Sequence, residues 1–373
     1  MNLIDILQAA VQLEASDVVL KDGMPPMLRV RGDLLPCEGA QPLTPELLQE
    51  ATNWILPDDA HRLRFAAERQ ADLAFDQPGL GRFRVNVFRQ RGKVGIVLRV
   101  IPPRVRTISE LNLPPVVERL ATERRGLILV TGPTGSGKTT TLAAIIDHIN
   151  KAGARHVITI EDPIEYLHQE KRSVVSQREI GEDVADFPSA LRAALRQNPD
   201  VIMVGEMRDL ETVETAIMAA ETGHLVLSTL HTVDAPETVQ RTVTAFPEHQ
   251  REQIRIVLAS VLRGVISQRL LPRSDGTGLI PTVEVMVGSA RVREYIEKQR
   301  ARELPEVISQ GQTTYGMQTF DQSIMGLFRA GHITYTEALA HCRNPADFEL
   351  QARDLHGSAA ATHPDFETRG EQS

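Results

Sequence analysis

Gly132-Pro-Thr-Gly-Ser-Gly-Lys-Thr139 follows the apolar, β-branched run Leu127-Ile-Leu-Val-Thr131 and leads into a helix-forming stretch, Thr140 to Asn150. A buried strand feeding a glycine turn that opens a helix is the setting a phosphate-binding P-loop requires. The glycines let successive backbone N–H groups converge on phosphate oxygens without Cβ clashes. Lys138 reaches the β- and γ-phosphates as a point charge, and Thr139 offers its hydroxyl to Mg²⁺. The helix dipole adds positive potential at the same point. Gly132, Pro133, Thr134, Gly135, Ser136, Gly137, Lys138, Thr139 and Thr140 are therefore expected to hold a nucleoside triphosphate.

Outward from this motif, strands and helices alternate. Leu127 to Thr131, His156 to Ile160, Val201 to Val204 and Leu225 to Leu230 are continuous apolar runs, with helices near Pro188 to Gln197 and Leu210 to Thr222. Such a pattern predicts an α/β domain built on a largely parallel sheet covered on both faces. Asp209 is the expected N-cap of the helix at Leu210 and Gly223 its C′ residue. Asp234-Ala-Pro-Glu237 predicts a capping-box start for the next helix. Beyond it, helices are expected from Glu248 to about Leu271, Ser289 to Gln299 and Phe320 to Cys342, an all-helical end.

The first hundred residues differ. An amphipathic helix carries Leu3, Ile4, Leu7 and Val11, and short strands follow at Val18 to Leu20 and Met27 to Val30,. Thr44-Pro45 marks a helix start. Phe83, Val85 and Val87 alternate with polar residues, as do Ile96, Leu98 and Val100 with Val97 and Arg99, and the connection Arg89 to Gly95 suits a hairpin. That alternation puts Arg84 and Arg99 on the face opposite the core, where a solvated sheet face is the bland alternative to a function. Ile101-Pro102-Pro103 ends this region, because two prolines extend neither ladder nor helix.

Bulk properties narrow the class. The chain has 373 residues, 42% of them apolar and 4% aromatic, with a net charge of −8. That charge opposes a dedicated nucleic-acid binder, which carries a basic stripe. Asp5 stands where a signal peptide would carry basic charge, and no run reaches the ~18 apolar residues of a membrane span. Cys37 and Cys342 are too few and too far apart for a disulfide framework or a CxxC metal site,.

Two acidic clusters sit at strand ends, where a doubly wound sheet places its chemistry. Ile160-Glu161-Asp162-Pro163-Ile164-Glu165 follows the second strand, and Gly205-Glu206 follows Val201 to Val204. An NTPase needs one carboxylate to polarise the attacking water and others to hold the metal's water shell; Gly205 occupies the place of the usual Walker B aspartate, so Glu206 acts there alone. His224 and His231 bracket the fourth strand. Seven residues of strand separate them by more than about 20 Å, too far for one metal. His231, at the carboxyl end, is placed to sense the γ-phosphate or to meet the acidic cluster.

The ordered series GPTGSGKTT (132–140), IEDPIE (160–165), DVIMVGEMRD (200–209) and TGHLVLSTLHT (222–232) resembles the Walker A, Asp box, atypical Walker B and His box of secretion-type ATPases. Within that superfamily the chain is most similar to the type IV pilus retraction ATPases. Ala15-Ser-Asp-Val-Val-Leu20, Gly23-Met-Pro-Pro26, Gly79-Leu-Gly-Arg-Phe-Arg-Val-Asn86 and Gly316-Met-Gln-Thr-Phe-Asp321 carry the same likeness. The resemblance spans residues 1 to 348. It implies a PAS-like α+β domain over 1–101, a linker over 102–113, a RecA-like P-loop ATPase domain with C-terminal helices over 114–348, and a disordered tail over 349–373. It implies ATP and Mg²⁺ as cofactors, Glu165 as the water-activating base, Glu206 with Thr139 at the metal, His231 as the His-box residue, and Arg84 and Arg99 as arginine fingers. It further implies a homo-oligomer, a hexameric ring, in the cytoplasm at the inner membrane. The expected partners are a platform protein and related pilus ATPases, with no nucleic acid. The family's Ala-Ile-Arg-Asn-Leu-Ile motif appears only as Arg291-Val-Arg-Glu-Tyr-Ile296, which keeps Arg293. Relatives that extend pili carry a four-cysteine zinc module and a longer N-terminal region. Here Leu271 to Leu279 is a short cysteine-free turn and nothing precedes the PAS-like domain, so retraction is the expected activity. An accessory retraction ATPase shares these motifs; a nucleic-acid translocase and a nucleotide-gated scaffold are the more distant alternatives.

Overall fold

The structure is a computed structural model that describes residues 2–30, 32–56, 58–101 and 104–357. It comprises two units, Met1–Val105 with Glu161–His168, and Arg106–Ile160 with the chain from Gln169 onward. Pro102 and Pro103, expected to end the first domain, lie outside the described residues, as does 358–373 of the expected tail. Residues 349–357 lie instead in a helix, Pro345–Gly357.

In the smaller unit, β1 (Asp17–Lys21), β2 (Met27–Val30), β3 (Asp33–Pro36), β4 (Gln70–Gln77), β5 (Gly81–Gln90) and β6 (Lys93–Ile101) form an antiparallel sheet in the order β3-β2-β1-β6-β5-β4. Helices Leu3–Gln12, Pro45–Ile55 and Asp59–Glu68 bury Leu7, Leu48, Ile55 and Phe65 against Val18, Phe83, Val85 and Ile96. Each helix begins where a side chain accepts an otherwise unpaired N–H: Asn2 from Asp5, Thr44 from Leu47, Asp58 from His61,. Arg84 and Arg99 are cross-strand neighbours, and the buried alternation beside them puts both away from the core, as the sequence predicts.

The larger unit holds β7 (Gly126–Thr131), β8 (His156–Glu161), β9 (Val174–Glu179), β10 (Val201–Val204), β11 (Leu225–Leu230), β12 (Leu262–Pro272) and β13 (Leu279–Val287), in the order β13-β12-β7-β11-β10-β8-β9. The ladders from β12 through β7, β11 and β10 to β8 are parallel, and β13 is antiparallel to β12. Successive β7 side chains feed opposite cores, Leu127 and Leu129 one and Ile128 and Val130 the other. That is the doubly covered sheet expected.

Two sequence expectations fail. The helix from Glu248 stops at Val261, and Leu262 turns extended to start β12; Leu279–Val287, expected within the helical end, is β13. The apolar spacing of residues 262–271 runs on from the preceding helix because both faces of β12 are buried, which erases a period-two signal,. Gly264 is the local marker: an added Cβ would lie 2.7 Å from Leu120 Cδ1, so the strand packs by backbone there,. The capping expectation at Asp234 also needs adjusting. Asp234 caps Glu237 N at 2.9 Å, but the Glu237 carboxylate reaches back to Val233 N, 3.0 Å, rather than to the cap itself.

Glu284 on β13 is the most unusual buried carboxylate. Its Oε1 accepts Ala235 N at 2.9 Å, and burial, together with the nearby Asp234 charge, pushes its pKa up to about 7 against the counterpull of that N–H, Arg343 and Arg269. The native state thus holds this proton more tightly than the unfolded chain. Its contribution to stability is intact below about pH 4.5 and falls between pH 4.5 and about 7,. Glu284→Gln keeps the acceptor and removes the charge. It is expected to match wild type near pH 4.5 and to gain up to about 3 kcal/mol at pH 8, measured by urea denaturation. Equal stabilities at pH 8 would show that Glu284 is not held in its neutral form.

Candidate nucleotide site

β7 delivers the chain to Gly132, whose φ is +142° and whose missing Cβ leaves room for Gln268 O, 2.4 Å from where that atom would stand. Gly135 and Gly137 take left-handed backbone at φ +81° and +88°,. Helix Lys138–Ala152 then starts from Gly137 with no side-chain cap, so its first N–H groups face the loop as donors for an anion,. Lys138 is buried, its Nζ donating to Gly132 O at 2.9 Å and Pro133 O at 3.0 Å. Burial holds its pKa below the ordinary lysine range, and Glu206 opposes that shift. Ser136 is also buried, and its Oγ has no hydrogen-bond partner among the described residues. A desolvated ammonium bonded to two backbone carbonyls, beside an orphaned hydroxyl and an uncapped helix start, fits a polyphosphate,.

β12, absent from the sequence reading, supports this loop from the side. Thr131 Oγ1 donates to Ser267 Oγ at 2.8 Å, and Gln268 Nε2 donates to Thr141 Oγ1 at 2.9 Å. The buried uncharged pair Ser267 and Gln268, in a strand whose other polar residues, Arg263 and Arg269, are only half-buried, is the signal that would have located them.

Glu206 stands just past the end of β10. Gly205 N donates to Ile160 O at 2.8 Å, Thr229 Oγ1 to Gly205 O at 2.7 Å and Ser228 Oγ to Val204 O at 2.7 Å. The hydroxyls in β11 thus fix the turn that carries Glu206. Its carboxylate meets Arg208 at 2.6 Å and His231 Nε2 at 3.5 Å. His231 therefore joins the acidic cluster, one of the two positions expected for it. His224 does not take part; its Nδ1 lies 3.0 Å from Ala219 O at the end of helix Leu210–Glu221. Among the described residues no cluster of His, Cys, Asp and Glu forms an all-protein metal cage. Thr139 and Glu206 offer one hydroxyl and one carboxylate, the oxygen chemistry that Mg²⁺ takes when it keeps several waters and is bound jointly with phosphates.

The remaining site residues belong to the smaller unit. Glu165 lies 3.7 Å from Arg84, and Arg82 Nε donates to Ile164 O at 3.2 Å, so β5 anchors the Asp-box segment. Arg99 is engaged differently, by Asp17 Oδ1 at 3.1 Å.

Residues 78–311 match the model of the type II/IV secretion system protein family. Among curated proteins, the type IV pilus retraction ATPase PilT of Pseudomonas aeruginosa is 41% identical over 93% of this chain and 100% of its own length. The type IV pilus ATPase PilU of the same organism is 39% identical over 98% and 94%. Among solved structures, the pilus retraction motor PilT with bound ADP superposes with a TM-score of 0.86 at 44% identity, covering 94% of this chain and 99% of that one.

Proposed function

This chain belongs to the type II/IV secretion system protein family, and from that membership we propose that it is a Mg²⁺-dependent ATPase motor that retracts a type IV pilus and so drives twitching motility. One observation carries the chemistry: buried Lys138 is bonded to the carbonyls of Gly132 and Pro133 in the P-loop, and the Glu206 carboxylate acts on its charge. The P-loop amides and Lys138 bind the phosphates, and Thr139 and Glu206 would hold the metal or its water shell. When bound, Mg²⁺ would neutralise charge on the β- and γ-phosphate oxygens. Glu165 takes the proton of the attacking water, and His231 orients Glu206. The motor works as a hexameric ring in the cytoplasm, against a platform protein of the inner membrane and beside related pilus ATPases; among the described residues no helix is long and apolar enough to cross a membrane.

The deciding experiment deletes the gene: hyperpiliated, non-twitching cells support retraction, and normal twitching removes it. PilU's 39% identity over nearly the whole chain supports a second reading, an accessory retraction ATPase. Expressed as the only retraction ATPase of a strain, an accessory protein leaves pili extended, whereas a motor restores their retraction. Phosphate release separates either reading from a nucleotide-gated scaffold, and DNA-stimulated turnover with a steep salt dependence would mark a translocase.

Glu165→Gln preserves size and removes the base. Its turnover is expected to fall by roughly 10²–10⁴ with ADP binding retained. Near-normal phosphate release from that variant would take Glu165 out of the mechanism.

A further inference from the structure

The Gly316-Met-Gln-Thr-Phe-Asp321 stretch has no part in the chemistry above, yet each polar residue in it is committed. Gln318 extends the edge of β13 by exchanging backbone bonds with Val285, at 2.8 and 3.2 Å, and its Nε2 donates to Val283 O at 2.7 Å. Thr319 forms a capping box with Gln322 that starts helix Phe320–Arg329. Phe320 packs under the Arg269 guanidinium, 4.1 Å from its ring centre. Asp321 accepts Arg343 N at 2.7 Å and Asn344 N at 3.2 Å, fixing the backbone between helices Tyr335–His341 and Pro345–Gly357.

That backbone aims Arg343 at one target. Its Nη2 donates to Asp234 Oδ2 at 2.7 Å, while Asp234 Oδ1 caps the helix that follows the His box. Asp234 is three residues past His231, and the residues between them bond the helix that follows, Thr232 to Thr238 at 2.6 Å and Val233 N to Glu237 at 3.0 Å. Glu284 reaches the same helix start from β13 by accepting Ala235 N at 2.9 Å, so two carboxyl groups serve the point and Arg343 pairs with one of them, Asp234. A purely structural cap would need neither the second carboxylate nor an arginine held in place by a third.

We infer that Arg343, oriented by Asp321, is a positioning residue that links the C-terminal helices to the loop presenting His231 and thereby to Glu206. The inference rests on the hydrolysis proposed above, with His231 taking part. Its consequence is that a displacement of the C-terminal helices changes turnover through the loop that presents His231.

Steady-state ATPase kinetics of the full chain test it. Arg343→Ala is expected to lower kcat about tenfold with KM within about twofold, since a contact on a neighbouring loop carries coupling of that order without touching substrate. Arg343→Lys should recover a substantial part of the loss. Asp234→Asn keeps the capping oxygen and removes the charge. Combined with Arg343→Ala it should cost no more than the worse single change, because both break one interaction. The Arg343 side chain is 60% exposed, so its loss leaves the fold intact, which circular dichroism checks. Wild-type kcat in Arg343→Ala, or additive losses in the double variant, would overturn the inference while leaving the ATPase reading standing. Absence of turnover in the wild-type protein itself would overturn that reading and this inference with it.

Discussion

Lys138→Ala is expected to take ATP hydrolysis to background and to abolish motility. The Lys138 ammonium is buried, bonded to Gly132 O and Pro133 O, and depressed in pKa by desolvation. A cation in that condition gains more from an incoming phosphate than a solvated one would, because its water has already been given up. The same condition makes the lysine a cost to the nucleotide-free protein. The alanine variant should therefore unfold at the same temperature as wild type or higher without nucleotide, and lose most of the stabilisation that ADP confers. Losing one charge-assisted bond of about 1.5–3 kcal/mol weakens nucleotide binding by roughly ten- to a hundredfold. The larger loss falls on turnover, where charge develops on the phosphoryl oxygens. Phosphate release and thermal melts with and without ADP measure both. Normal hydrolysis by Lys138→Ala would refute the central assignment of the chain.

The P-loop was legible because its glycines are a backbone requirement: at Gly132 a side chain collides with Gln268 O, and at Gly135 and Gly137 the backbone is left-handed. A constraint of that kind must be written in residue identity. The strand ends at Glu161 and Glu206 were legible for a related reason, since runs buried on both faces end abruptly where polar residues begin. β12 was hidden by the same property that revealed β7. Ile266 goes to one core and Val265 to the other, so its pattern has neither a clear period of two nor a break from the helix before it. Ser267 and Gln268 were lost with it, although both bond residues flanking the phosphate loop. The Arg343–Asp234 link lay beyond reach for another reason. It joins residues 109 positions apart, and nothing local to either requires the other. Sequence periodicity encodes what an element buries; it does not encode which exposed arginine a distant backbone will aim.

Arg84→Ala is expected to keep the assembly state of the wild-type protein and bind ATP yet hydrolyse it far more slowly. Arg84 and Arg99 are paired across β5 and β6 on the face away from the core, but their surroundings differ. Arg99 already bonds Asp17, whereas Arg84 has the Asp-box carboxylate Glu165 at 3.7 Å. If Arg84 stabilises charge on the phosphoryl group, its loss costs about 10³–10⁵ in rate, or roughly 4–7 kcal/mol of barrier. Arg99, with one of its donors spent on Asp17, should cost less when removed, about tenfold, in line with a single interaction of about 1.4 kcal/mol. Arg84→Lys keeps the charge and the attraction to Glu165 but loses the planar fork, so it separates two roles. A direct role at the phosphate predicts a severe defect in the lysine variant. A role confined to holding Glu165 predicts a mild one, and it also predicts that Arg84→Ala adds nothing to Glu165→Gln. A solvated sheet face predicts stability changes within about ±0.5 kcal/mol and no kinetic effect from either arginine. Phosphate release from Arg84→Ala, Arg84→Lys, Arg99→Ala and the Arg84→Ala/Glu165→Gln double variant assigns the residue. Wild-type turnover in both alanine variants would return the whole face to solvent and leave catalysis to the P-loop, Glu206 and Glu165.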